Sequence, residues 1–217
     1  ELAPEQPEDF GAASQIDTEL AVGRLRTAET LKGAARIAAL EIRALTGFEA
    51  VLVYRFDAAW DGEAIAEDKV QDWSLVLLCL RFPASDIPAQ ARALYTKAKG
   101  RFVVDRDCVP VPLVAGRSAG NAPVDLTFAQ SRTLSPIHLE YQRNLGVNGS
   151  MSISIMVEDK LWGLMIGHHR QPHYVAPETR AAATVLTDAF AMRVQEIEAR
   201  HRWAEQQSHL DIEGRLV

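Results

Sequence analysis

A basic surplus is missing from this chain. Its 23 Lys and Arg stand against 29 Asp and Glu, a net charge of −6 with an isoelectric point near 5.5. No positive stripe exists to replace condensed counterions, which argues against a nucleic-acid partner. Cysteine is scarce: Cys79 and Cys108 make neither a disulfide framework nor a metal motif, so a reducing, cytoplasmic setting is expected. Long apolar runs are absent, and none approaches the roughly 20 residues that span a bilayer. There is no signal peptide, and the missing initiator Met points to a fragment or a processed chain. Gly-rich phosphate loops and internal repeats are also lacking. GVNGSMS is no nucleophile elbow, because no G-x-S-x-G there follows a strand and opens a helix. These absences remove the common enzyme classes, and no catalytic residue is expected.

What is present suits one large domain: 217 residues, 47% of them hydrophobic. Residues 1–15 read as an extended opening segment. Residues 16–200 form the main domain, and 201–217 a helical extension. Ile16 to Thr46 is helical by periodicity, with a break near Thr27–Thr30 where Thr30 could cap a second helix, and Gly47 ends it. Ala50–Phe56 reads as a buried strand, and another begins at Glu63. Residues 71–80 fit helix or strand equally. A short strand is expected at Arg101–Asp105. The proline-bearing stretch 107–130 shows little periodicity, which marks long loops with a function or without order. Ser135-Pro136 opens a helix to Asn144. Ser150–Val157 reads as a half-buried strand that turns at Glu158-Asp159 into a hairpin partner, Leu161–His168. Pro177 starts a long helix with Leu186, Phe190, Val194 and Ile197 on one face. The plan is α+β: a mainly antiparallel sheet with helices outside, including long N- and C-terminal ones.

The stretch Arg81–Tyr95, RFPASDIPAQARALY, organises the rest. Pro83 stiffens the approach, Ser85 or Asp86 is placed to cap the helix that follows, and Pro88 suits its first turn. After it come Tyr95 and Arg101, then Arg132 and Ser135 ahead of His138, with Tyr141 on the same helix face. Ser150 and Ser152 share one strand face. His168 and His169 point to opposite faces, so they cannot share a metal, and His173 finds no ligand set. A basic, hydroxyl-bearing and aromatic set suits an amphipathic ligand with an apolar body and anionic arms.

TGFEAVLVYRF, DGEAIAE, PASDIPAQARALY, SPIHLEYQRNLGV, SMSISIMV and LWGLMIGHH, in this order, resemble the GAF domain of bacterial phytochromes. The resemblance implies a red or far-red sensor that binds a linear tetrapyrrole, biliverdin in bacteria. By position, Asp86 of the DIP motif would offer its carbonyl to the pyrrole nitrogens and its carboxylate to a signalling hairpin. His138 would stack beside the inner rings, and His168 would bond the outer ring carbonyl. Arg101 and Arg132 would pair with the propionates, assisted by Ser135, Ser150 and Ser152. Tyr54, Phe82 and Tyr141 would wall the rotating ring. Leu139 stands where plant-type and cyanobacterial members carry their attachment cysteine, and Cys79 where relatives carry Gly, so the pigment is expected to bind noncovalently. The resemblance also implies PAS and PHY domains in the parent receptor, a lasso role for 107–130, which is expected to be mobile without its partner, and a homodimer through helices. Rival readings are a pigment-free relative that senses redox through its cysteines, and a GAF domain that binds a cyclic nucleotide or only dimerises. The intact Asp86 argues against a fragment altered for fluorescence.

Overall fold

The computed structural model describes residues 10–114, 124–129 and 132–213, with side chains from 18 to 208 within them. Two helices come first, α1 (Phe10–Thr27) and α2 (Leu31–Thr46). Residues 10–15, expected to be extended, already belong to α1, while 1–9 lie outside the described residues. The Thr30 hydroxyl accepts the Gly33 N–H at 3.1 Å, which satisfies one of the free donors that every helix start exposes. Gly47 ends α2 at φ 73°, a left-handed angle at which a Cβ would be strained, and its N–H returns to the Arg43 carbonyl.

Strands β1 (Ala50–Phe56) and β2 (Gly62–Lys69) form a hairpin. The short β3 (Arg81–Phe82), α3 (Ala89–Lys97), β4 (Gly100–Val103) and α4 (Pro136–Asn144) follow. Hairpin β5 (Gly149–Val157) and β6 (Lys160–His169) then leads to α5 (Pro177–Glu213), which continues through residue 200 without a break. All pairings are antiparallel, in the order β3-β2-β1-β6-β5-β4. The β5–β6 turn carries Glu158 and Asp159 at φ 50° and 59°, the mirror-image turn whose twist matches the strands it joins.

One face of this sheet is packed by helices. Val51, Val53, Met151, Ile153 and Met165 meet Ala35, Ala38, Ala39 and Ile42 of α2 and Leu186, Phe190, Val194 and Ile197 of α5, all at most 1% exposed. Small alanines let α2 lie close to the sheet. Each fully buried Leu, Ile or Phe there stabilises by about 1.5–3 kcal/mol. The opposite face carries Leu52, Tyr54, Leu164, Ile166 and His168 beneath α3 and α4.

Three local expectations need correction. Residues 71–80 are neither helix nor strand. Trp73 and Leu77 point inward, but much of this segment's bonding is to β2: Cys79 N–H to the Ala64 carbonyl, Leu77 N–H to Glu67, and Lys69 to the Trp73 and Leu75 carbonyls. Cys79, at φ 64°, breaks the extended run. The cap of α3 is Pro88 itself, with no side-chain hydrogen bond, so neither Ser85 nor Asp86 caps it and Pro88 precedes the first turn. Strand β5 is buried along most of both faces rather than half-buried, because it lies inside the sheet with covers above and below.

Candidate functional site

Register builds the site. On the face under α3 and α4, Arg101, Ser152, Ile166 and Leu52 lie in one cross-strand row. The next row holds Val103, Ser150, His168 and Ala50. Tyr54 stands beside Leu164 and Ser154 in the row on the other side. The period of two residues therefore sends the serines of SMSIS, a basic side chain and a histidine to the same surface.

The elbow is tied down from below and behind. Asp61 accepts the Ala84 N–H at 2.9 Å, Asp86 N–H turns back to the Pro83 carbonyl, and Arg92 donates to the carbonyls of Ala84 and Ile87. Asp86 stands exposed at its tip. Phe82 tilts against Tyr54 at 5.7 Å between centroids. The Tyr54 ring occupies the space over Gly62, where a Cβ would sit 1.8 Å from it. Helix α3 is pinned to the sheet through Tyr95: Ser154 donates to its carbonyl at 2.7 Å and Ser152 to its hydroxyl at 3.4 Å.

Helix α4 begins as its sequence directs. Ser135 accepts the His138 N–H at 3.2 Å and Pro136 opens the first turn. His138 and Tyr141, one turn apart, stack with centroids 6.4 Å apart. Both remain solvent-accessible, as does Ser135.

Electrostatics connect these groups. Burial pushes His168 down to about 4, and the neighbouring His138 adds to the effect. His138 is lowered too, by desolvation of a ring partly covered although the residue stays accessible. Burial also raises Tyr54 to about 12, with Asp86, Tyr141 and Asp61 acting in the same sense and Arg92 against. Tyr141 is raised by burial, then by Asp86 and Tyr95. Arg101 is lowered, first by burial and then by the positive charge of Arg132. Its guanidinium lies 5.4 Å from the Tyr95 ring centre and donates to the Leu94 carbonyl, while Arg132 donates to the Thr127 carbonyl. Among the described residues neither arginine pairs with a carboxylate. Two guanidiniums without a carboxylate partner among the described residues have the chemistry to take an anion.

All twelve candidate residues thus fall on one side of the sheet. They line an open surface. Two separate hollows lie elsewhere, one of about 260 Å³ beside Trp60 and Trp162 and one of about 510 Å³ beside Met156 and Met192, and neither is lined by a candidate residue. Three polar atoms on the site face, His168 Nδ1, Arg101 Nε and Gln142 Oε1, are buried without a partner among the described residues. Sequence reasoning missed Gln142, Ser154, Arg92 and Asp61. Ser154 follows from the alternation that marked Ser150 and Ser152, but the other three act across element boundaries, Gln142 on Ser150, Arg92 on the elbow carbonyls and Asp61 on the Ala84 N–H. Cys79 and Cys108 are free and exposed.

The GAF domain profile matches residues 30–194. Cyanobacterial phytochrome B of Nostoc sp. is 44% identical over 169 residues, which cover 77% of this chain and 22% of that protein. The bacteriophytochrome of Xanthomonas campestris pv. campestris is 36% identical over 222 residues, covering all of this chain and 34% of that protein. The chain therefore spans about a fifth to a third of the length of these relatives. Among solved structures, the chromophore-binding domain of Stigmatella aurantiaca phytochrome P1 superposes with a TM-score of 0.83 at 38% identity, over 88% of this chain and 63% of that one. The bacteriophytochrome of R. palustris gives 0.89 at 36%, over 99% and 43%. Sequence identity and superposition agree, and the chain belongs to the GAF domain family, within which it stands with the phytochromes.

Proposed function

We propose that this chain is the pigment-holding domain of a bacterial red/far-red receptor and takes biliverdin noncovalently. The observation that carries this reading is the Arg101–Arg132 pair, two guanidiniums without a carboxylate partner among the described residues, above a face with unpartnered buried polar atoms. That donor set fits an open-chain tetrapyrrole: cations and hydroxyls for two propionates, imidazoles for polar ring edges, and aromatic walls for a conjugated body. When bound, the pigment supplies the visible absorption and the double bond that isomerises in light.

The residues divide the work. Arg101 and Arg132 hold the carboxylate arms, and Ser135, Ser150 and Ser152 add hydroxyl donors. His138, its pKa lowered by desolvation, packs beside the inner rings with Tyr141. Asp86 presents its backbone carbonyl from an elbow held by Asp61 and Arg92. His168, neutral at physiological pH, offers Nδ1 to the outer ring, and Tyr54, Phe82 and Tyr141 wall it. Tyr95 braces α3 over the serines. Light would oblige His168 and the tyrosines to exchange hydrogen bonds, a two-state element whose output passes to PAS and PHY domains and a helical dimer in the parent receptor. On this reading the domain binds and signals and performs no catalysis.

Mixing the purified chain with biliverdin tests the reading. A red or near-infrared band should survive gel filtration and leave the protein on acid denaturation. A spectrum identical to free pigment, with no co-elution, would overturn it. Colour retained after denaturation would overturn the noncovalent attachment.

A further inference from the structure

Helix α4 buries one residue, and that residue is polar. Gln142 is 4% exposed, on a short helix whose other positions are exposed or half-buried. A carboxamide in such a place is costly unless its donors and acceptor are satisfied. Its Nε2 donates to the Ser150 hydroxyl oxygen at 2.5 Å, while Oε1 has no partner among the described residues. Ser150 is 8% exposed, and its cross-strand neighbour His168, also 8% exposed, has Nδ1 unpartnered. Three polar groups, each more than nine-tenths buried, therefore meet on the site face with one hydrogen bond recorded between them.

The direction of that bond has a chemical consequence. A serine hydroxyl has one proton to give and lone pairs to receive. With a Gln142 N–H on the oxygen, the hydroxyl proton cannot turn toward that N–H and is aimed elsewhere. Ser150 is set as a donor, on the strand position paired with His168. A hydrocarbon side chain at position 142 would leave the hydroxyl free to rotate. A carboxylate there would accept the proton and leave Ser150 with only an acceptor face.

We propose that Gln142 is a positioning residue that fixes the Ser150 hydroxyl as a donor and so makes the site prefer a carboxylate-bearing arm over a neutral one. This rests on the pigment reading for the identity of the arm, and on the Gln142–Ser150 bond and the Ser150–His168 pairing for the residue.

The test compares wild type, Gln142→Leu and Gln142→Glu, each checked for an unchanged fold by thermal unfolding and circular dichroism. Each is titrated with biliverdin and with its dimethyl ester, which has the same body without the charges. Wild type should prefer the free acid. Gln142→Leu should lose about tenfold in affinity for the acid, the scale of one hydrogen bond to a charged group, and clearly less for the ester, whose carbonyl is a weaker acceptor. Gln142→Glu should lose more for the acid and again clearly less for the ester. An unchanged acid-to-ester ratio in both variants overturns the proposal, and so does an equal loss on both ligands, which would mark Gln142 as packing only. A second arm needs no pigment: the His168 imidazole resonances are followed during titration with acetate. Wild type should respond at concentrations several-fold lower than Gln142→Leu, and identical curves overturn the proposal. If wild type binds neither pigment, the pigment reading fails while the acetate arm still decides the role of Gln142.

Discussion

Where the sheet meets α2 and α5, Phe190, Val194, Ile42 and Val53 are wholly buried and interlock as apolar surfaces. Where it meets α3 and α4, the covers are attached by hydroxyl and guanidinium groups: Ser154 to the Tyr95 carbonyl, Gln142 to Ser150, and Arg92 to the elbow. Helix α3 buries no residue completely and α4 only Gln142. The same strands serve both sides, with alternate residues assigned to each. The contrast shows how one sheet separates stability from binding: one face is filled throughout by apolar side chains, and the other sets unpartnered polar atoms beside a smaller apolar cluster around Leu52 and Leu164.

The largest effect should follow from hollowing the filled face. Phe190→Ala should cost about 3–5 kcal/mol by leaving a cavity that the helices cannot close, measured by chemical denaturation. Comparable losses from changes under α3 and α4 would break the contrast.

Next comes acid. Folded His168 takes its proton only near pH 4, whereas in the unfolded chain it does so near 6.5. Between those values the unfolded state binds more protons, so stability falls as pH drops from about 6.5 toward 4 and is flat in this respect above it. The full effect is about 3 kcal/mol. His138 and His173, both lowered chiefly by burial, act in the same direction. His168→Gln should remove most of the slope in denaturation midpoints between pH 7.5 and 5; an unaltered slope would show that this imidazole is not the acid-sensitive group.

Arg101→Ala sharpens the comparison because it should divide function from stability. Removing one of two mutually repelling cations should change the stability of the pigment-free protein by no more than about 1 kcal/mol. Affinity for biliverdin should fall by at least about tenfold, the loss of a charge-assisted contact. Parallel denaturation and absorbance titrations give both numbers.

The smallest effect is expected from Tyr141→Ala. Its ring is 42% exposed, so stability should shift by no more than about 0.5 kcal/mol, while the spectrum of bound pigment changes through the lost wall.

The fold was largely legible because its signals are local. The Thr30 cap, the Gly47 stop, the β-branched run of β1 and the Ser-Pro start of α4 each act within a few residues. Segment 71–80 was not legible: its apolar content is real, but its partners are side chains of β2, Glu67 and Lys69 among them, which no periodicity reveals. Ser85 or Asp86 was expected to cap α3, yet Pro88 takes that place without a side-chain bond. The motif residues of the site could be named from the resemblance. Their common face emerged only with the β4–β5–β6 register, and Gln142 only with the contact between α4 and β5. Of the stretch 107–130, residues 115–123 and 130 lie outside the described residues.

Backbone hydrogen exchange with and without biliverdin tests the division of the two faces most directly. The account predicts that pigment slows exchange in α3 (Ala89–Lys97), the 81–88 elbow and α4 (Pro136–Asn144), while α2 and the 183–197 stretch of α5 stay as protected as before. Equal slowing on both faces, or none under α3 and α4, would contradict it.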